Sequence, residues 1–119
     1  MASAALALIV LLGALQLPNS APGCIAAVTV MPTGPVLSGQ TVTFTDGTLV
    51  NPSTRFLSRA WSFGDGTSVT SAQADQVAAT HAYVNREAHS TAVTARLTER
   101  TGLGSCTTTV TLTISPSEI

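Results

Sequence analysis

Few residues in this 119-residue chain have the type and spacing that chemistry requires. Asp65, which lies between Gly64 and Gly66, is the carboxylate best placed to act as a catalytic acid or a calcium ligand. In a Gly-Asp-Gly sequence, however, the aspartate side chain usually accepts hydrogen bonds from its own turn, and glycine supplies the positive φ angle that a tight turn needs. We therefore predict that Asp65 caps a turn.

The two histidines raise the question of a Ser-His-Asp triad, because serine is abundant. The sequence contains no Gly-x-Ser-x-Gly elbow, no phosphate-binding glycine loop and no His-Glu-x-x-His zinc motif. His81, two residues before Tyr83, is more often a structural histidine than a general base, and His89 has no recognisable partner. We predict that the chain is not an enzyme on its own.

The metal-binding side chains form no recognisable set either. The acidic residues are Asp46, Asp65, Asp75, Glu87, Glu99 and Glu118. Calcium takes about six or more oxygen ligands, and the spacing of these carboxylates matches no calcium loop, so calcium stays a low-ranking option. Two cysteines without neighbouring histidines do not complete a zinc shell. No cofactor is expected.

Charge excludes a further class of function. The chain has five arginines, no lysine and a formal net charge of -1, and its basic residues form no cluster. A nucleic-acid-binding protein normally presents a basic patch or stripe. DNA or RNA is therefore not an expected partner.

Short β-strands separated by turns are the elements that should position these side chains. Trp61 and Phe63 lie two residues apart, so on a strand both rings point to the same face and form the natural centre of a core. Arg59 falls on that same face and must reach an edge or find a partner there. Alternation of this kind recurs along the chain and predicts seven short strands, with no helical period after residue 17. The fold class is an all-β sandwich.

The stretch Trp61-Ser62-Phe63-Gly64-Asp65-Gly66 resembles the W-x-F-G-D-G signature of the polycystic kidney disease (PKD) domain family. His81-Ala82-Tyr83 is similar to the His-x-Tyr that follows in that family, and the resemblance covers about residues 25 to 114. It implies an immunoglobulin-like β-sandwich in which the motif residues are structural. They are Trp61, Phe63, Gly64, Asp65, Gly66, His81 and Tyr83.

Within such a fold the two cysteines acquire a natural role. The first and last strands of an immunoglobulin-like sandwich often run side by side, and Cys24 and Cys106 each stand just before a β-like run. We expect them to form a disulfide that joins the two ends of the sheet in an oxidising compartment. The rival interpretation is a lipoprotein acylated at Cys24, which would leave Cys106 unpaired.

The N-terminus is the other informative segment. Residues 2–17 carry no charge and have the length of a secretory hydrophobic region, and small residues that suit cleavage precede Cys24. We expect residues 1–23 to be a signal peptide or hydrophobic anchor, followed by a PKD-like domain at 24–116 in a secreted or surface-bound protein. The alternatives are a buried first strand or helix, and a helix that is retained in a membrane or a filament core.

Two classes of function follow from the resemblance and from this segment. The first is a non-catalytic extracellular or cell-surface module that contacts another protein or a polysaccharide, or serves as a spacer. The second is a structural subunit of a filament or particle coat, a homo-oligomer in which residues 2–17 pack between copies. If these residues are retained, they are also the only segment expected to contact a membrane. Stacking on sugars would need exposed aromatic rings. With Phe44, Trp61 and Phe63 assigned to the core, only Phe56 and Tyr83 remain as candidates, which is a thin platform.

Overall fold

The computed structural model describes residues 23–117, and every regular element in this range is a β-strand. The strands are β1 (Cys24–Ile25), β2 (Val28–Met31), β3 (Val36–Leu37), β4 (Thr41–Asp46), β5 (Leu49–Val50), β6 (Phe56–Ser62), β7 (Ser68–Ser71), β8 (Ala78–Ala82), β9 (Thr91–Thr101) and β10 (Gly104–Ser115). The predicted all-β class is confirmed. The prediction of about seven strands agrees with the seven that are four residues or longer; the structure adds β1, β3 and β5, two-residue segments too short to show an alternating pattern.

The strands form three sheets. A five-stranded sheet has the order β3-β10-β9-β6-β7, a three-stranded sheet has the order β2-β4-β8, and β1 pairs with β5. All pairs are antiparallel except β3 with β10, which is parallel. The larger two sheets enclose the core, so the domain is a β-sandwich. On both sides it has strand edges that are not paired by any other strand of the described residues.

The core is built from the inward side of each alternating strand, as the sequence pattern predicts. The Phe44 ring on β4 meets the rings of Trp61 and Phe63 from the opposite sheet, at centroid distances of 5.8 and 5.4 Å. These tilted contacts are typical of aromatic pairs in protein interiors. The remaining members of the buried cluster are Val36, Val42, Tyr83, Ala95, Leu97, Leu112 and Ile114.

Cys24 and Cys106 are joined by a disulfide, with their Cα atoms 6.0 Å apart. The strands that pair are not, however, the ones expected from the family resemblance. The first strand forms no ladder with the last; β1 pairs with β5, and β3 is the strand parallel to β10. Pro32 and Pro35 interrupt the chain between β2 and β3, and the chain changes sheets at this point because proline cannot donate to a β-ladder. The disulfide therefore fastens β1 to β10.

The hydrophobic segment predicted as a signal peptide or anchor lies outside the described residues, apart from Gly23. Among residues 23–117, no helix has the length and apolar character needed to span a membrane.

Candidate functional site

An open groove of about 520 Å³ separates the edges of the two large sheets on the side of β7 and β8. Each of these strands is the last in its sheet, so no strand in the described part of the chain fills the gap between them. The groove is lined by Trp61, Phe63, Val69, Ser71, Asp75, Gln76, Val77, Ala78, Ala79 and Thr80.

The groove has an apolar floor and apolar walls. Trp61 and Phe63 form the floor, and each ring is only 4% exposed because the core covers most of its surface. Val69 on β7 and Val77 just before β8 line the two sides, and both are more than 40% exposed. Large aliphatic side chains left this accessible beside buried rings mark a site that an apolar group could cover.

The motif residues lock one end of this groove. The Tyr83 hydroxyl donates a hydrogen bond to the Phe63 carbonyl oxygen at 2.7 Å, across the two sheets. The His81 ring stacks on Phe63 at a centroid distance of 4.3 Å and meets Tyr83 edge-on at 4.7 Å. Burial, together with the negative charge of Asp65, raises the pKa of Tyr83 to about 12, so the hydroxyl remains a donor.

Asp65 caps the β6–β7 turn, as the Gly-Asp-Gly sequence predicts. Its Oδ1 accepts hydrogen bonds from the Thr67 amide at 3.2 Å and the Thr67 hydroxyl at 2.5 Å. Its Oδ2 lies 2.7 Å from His81 Nε2. Burial pushes the pKa of Asp65 upward, but the hydrogen bonds from Thr67 and His81 outweigh that effect, and the pKa lies below its usual value.

The same geometry does not form a nucleophile and base pair. One nitrogen of His81, Nε2, faces both Asp65 Oδ2 and the Thr67 hydroxyl, the latter at 3.4 Å. A catalytic histidine uses one ring nitrogen toward the nucleophile and the other toward the orienting carboxylate. His89 lies in an exposed loop, where its Nδ1 is 3.1 Å from the Ser90 carbonyl oxygen.

Gly64 is required by the close approach of β9. Its φ angle is +89°, and a Cβ atom placed on it would lie 2.3 Å from the carbonyl oxygen of Thr94. Gly66 has a similar φ of +93° but faces open space. The first glycine of the motif thus serves packing and conformation, and the second serves conformation alone.

A buried ionic cluster lies beyond the other end of the groove. The sequence alone did not indicate which residues form it. Arg59 Nε is 2.5 Å from Asp46 Oδ2 and 3.5 Å from Glu99 Oε1, and all three side chains are at most 4% exposed. Arg59 therefore pairs inside the sandwich. The sequence did contain one signal for Glu99. On β9 it continues the alternating series of Ala95 and Leu97, whose side chains point inward.

Two carboxyls beside one guanidinium cannot both ionise at low cost. Burial first, and then the hydrogen bond and charge of Asp46, raise the pKa of Glu99 to about 8. Burial also opposes ionisation of Asp46, but hydrogen bonds from Glu99, Thr48 and Arg59 lower its pKa overall. At neutral pH the cluster thus holds one ionised carboxylate, one guanidinium and a neutral Glu99.

Arg59 also holds the loop that forms one wall of the groove. Its Nη1 donates to the carbonyl oxygens of Gln76 at 2.5 Å and Gln73 at 3.2 Å, and its Nη2 donates to that of Ala74 at 3.4 Å. Asp75 and Gln76 of this loop line the groove. The shape of the groove therefore depends on a buried charge.

Of the two candidate rings for sugar stacking, Tyr83 is buried and Phe56 is half-buried. Tyr83 is 1% exposed, since its ring completes the core, and the Arg59 guanidinium lies over the Phe56 ring at 4.7 Å. Within residues 23–117 no aromatic platform for a sugar is present. The same range holds no group of three or more histidine, cysteine or acidic side chains arranged for a metal ion.

Comparison with known proteins agrees with this geometry. A search of curated proteins found no match. A family model described as the PKD domain matches residues 25–114, which include all ten strands except Cys24 of β1 and Ser115 of β10. PKD domains are immunoglobulin-like modules, usually extracellular or on the cell surface and generally non-catalytic. The W-x-F-G-D-G turn, the His-x-Tyr strand and the family match together show that this chain belongs to the PKD domain family.

Proposed function

We propose that this PKD domain is a secreted or surface-displayed binding module that takes an extended segment of another extracellular protein into the groove between β7 and β8. The observation that carries the proposal is the combination of an apolar groove with a strand edge along its wall that no strand of residues 23–117 pairs with. A strand added to β8 would satisfy that edge and cover the groove at the same time, which is the binding mode known as β-augmentation.

The direction of the backbone groups on β8 supports this mode. The Asp46 amide donates to the Val77 carbonyl oxygen at 2.7 Å, so the polar backbone groups of Val77 point toward β4. Because these groups alternate along an antiparallel strand, those of Ala78, Thr80 and Ala82 point toward the free edge. All three side chains are exposed and small, which leaves room for a neighbouring backbone.

The groove also defines the chemistry of the added segment. Alternate side chains of a strand paired with β8 would point toward Trp61, Phe63 and the two exposed valines, Val69 and Val77. Apolar side chains are therefore expected at every second position of the partner. A protein segment fits this site better than a polysaccharide, because a sugar chain cannot complete a β-ladder and the aromatic rings are covered.

Export of the domain is part of the same proposal. The hydrophobic residues 2–17 and the Cys24–Cys106 disulfide both suit an oxidising compartment. The alternative proposal is a structural subunit whose residues 2–17 are retained and pack between copies. The mass of the natively produced protein separates the two: a mass for residues 24–119 supports a free module, and retention of residues 1–23 supports assembly.

The binding mode is tested with a displayed library of random octapeptides, from which the enriched sequences are synthesised and titrated against the isotope-labelled domain. We expect alternating apolar sequences, and protection from hydrogen exchange at the amides of Ala78, Thr80 and Ala82. Thr80→Pro removes one free-edge donor without touching the ladder to β4, and it should weaken binding by about tenfold or more.

Thr80→Ala is the matched control, because it keeps the backbone amide and should bind like the native domain. Enrichment of sequences without alternation, or equal affinity for Thr80→Pro and Thr80→Ala, would contradict the proposed strand addition.

A further inference from the structure

The longest strand of the domain has an open outer edge. β10 pairs with β9 along its whole length, but β3 covers its other side only at Ile114 and Ser115. Within the described residues, no other strand pairs with the rest of this edge. The segment 107–111 therefore presents a row of unpaired backbone groups, on the side of the sandwich opposite the β8 groove.

The backbone direction identifies which residues supply these groups. The Ser115 carbonyl oxygen accepts a hydrogen bond from the Ser38 amide at 3.0 Å, so Ser115 points toward the β3 side. Alternation then directs the backbone groups of the odd-numbered residues toward the open edge and those of the even-numbered residues toward β9. The residues at the open edge are Thr107, Thr109 and Thr111, since Thr113 borders the part of β10 that β3 covers.

This edge lacks the devices by which edge strands normally avoid pairing. Residues 107–114 read Thr-Thr-Thr-Val-Thr-Leu-Thr-Ile, with no charge, no proline and no glycine. The outward side chains of Thr107, Thr109, Thr111 and Thr113 are exposed, and β-branched residues of this kind favour extended pairing. A long, uncharged and regular edge is a template for another strand.

An apolar groove of about 370 Å³ lies beside the same edge, between β10 and the free edge strand β2 of the other sheet. Its apolar lining includes Val28, Val30, Pro32, Val110 and Leu112. Both sheets are thus open on this side, and a strand placed along β10 would also shield half-buried Val110.

We propose that β10 pairs antiparallel with β10 of a second copy, around a two-fold axis at Val110. In this register Thr109 exchanges hydrogen bonds with Thr111 of the second copy, and Thr111 does the same with Thr109. Every one of these residues belongs to the set whose backbone groups face the open edge, so the segment is complementary to itself, as a two-fold interface requires. Val110 then meets its own counterpart as a close pair without hydrogen bonds.

The second copy is the occupant that the edge itself favours. An uncharged edge carries no like charges to repel its own copy, whereas a charged partner would find no complementary group along it. The result is one continuous sheet through both domains, with the two β8 grooves left free. The pairing is therefore independent of the binding function proposed above.

Sedimentation equilibrium of the natively produced protein tests the pairing. We expect a concentration-dependent dimer. Thr111→Pro removes an edge amide and should raise the dimer dissociation constant by about tenfold or more, whereas Thr111→Ser, which keeps the amide, should not change it. The thermal unfolding curve of Thr111→Pro verifies that the domain still folds.

A cysteine pair tests the register and does not rely on proline. With Cys24 and Cys106 already bonded, Val110→Cys supplies one free thiol at the axis, and mild oxidation should give a covalent dimer. Thr94→Cys, exposed on the same sheet but one strand away from the edge, should stay monomeric on the same time scale. A monomer at every concentration, oligomers that continue beyond the dimer, or equal cross-linking of the two cysteine variants would overturn the proposal.

Discussion

Arg59 and Glu99 face each other inside the sandwich, with Arg59 Nε 3.5 Å from Glu99 Oε1, and that oxygen accepts no hydrogen bond from any residue of the described range. Arg59 gives its shorter contact to Asp46, at 2.5 Å. One guanidinium thus serves two buried carboxyls. Burial first, and then the neighbouring Asp46, explain why Glu99 keeps its proton to a higher pH than a solvated glutamate.

Stability should therefore depend on pH through Glu99. Its pKa rises from 4.5 to about 8 on folding, so its stabilising contribution is complete below pH 4.5 and is lost as the pH rises through about 8. Glu99→Gln keeps a neutral side chain of similar shape and should remove this loss. Urea unfolding of both proteins between pH 4.5 and 9 measures the effect.

Asp46 should affect the free energy of unfolding in a different pH range. Its pKa is lowered on folding, so its contribution is present above the usual value of 3.8 and is lost as the pH falls further.

The Glu99 prediction would be contradicted by parallel stability curves for the native protein and Glu99→Gln above pH 4.5. Such curves would show that Glu99 is not the residue responsible for the loss of stability.

Arg59 should be the most sensitive cation of the domain. Arg59→Met leaves buried Asp46 without its partner and should cost about 3–5 kcal/mol of unfolding free energy. It should also increase amide exchange in residues 73–76, because the carbonyl oxygens of this loop lose their donor. Chemical denaturation and hydrogen exchange measure the two effects.

Arg96→Met is the matched control for this substitution, because Arg96 is exposed on β9 and makes no ion pair with the described residues. It should change stability by no more than about 0.5 kcal/mol. Similar losses for the two variants would mean that the cluster contributes nothing specific.

The two glycines of the motif should differ in tolerance. Gly66→Ala meets only the cost of a positive φ angle, about 1–2 kcal/mol, because nothing lies near its Cβ position. Gly64→Ala meets the same cost and also collides with the Thr94 carbonyl oxygen, so it should lose about 3 kcal/mol or more. Thermal unfolding of the two variants compares them directly. Equal melting temperatures would contradict the close approach of β9.

Reduction of the disulfide should lower the melting temperature clearly. The bond joins residues separated by 82 positions, and the loop-entropy model assigns such a closure about 4–5 kcal/mol. Melting before and after reduction, with a Cys24→Ser/Cys106→Ser variant as the reference, gives the measurement. An unchanged melting curve, or two free thiols in the unreduced protein, would contradict the bond.

Much of the fold was predictable because its causes are local. The two-residue period of Trp61 and Phe63, and the turn chemistry of Gly64 to Gly66, depend only on neighbours in the chain, so they indicated the sandwich and its family correctly. The role of Asp65 at the turn follows from the same short-range chemistry.

The tertiary structure alone decided the features that depend on distant partners. Asp46 and Glu99 decide whether the Arg59 side chain reaches solvent or forms an ion pair inside the sandwich. They lie 13 and 40 positions away in the sequence and share no local pattern with Arg59. Tyr83 is covered because β8 places it under Phe63, although its own sequence neighbours Ala82 and Val84 are exposed. Open edges, likewise, arise from which strands find partners. The sequence by itself determined the strands and their inward faces; the pairing of those strands decided which charges are buried and which edges remain free to bind.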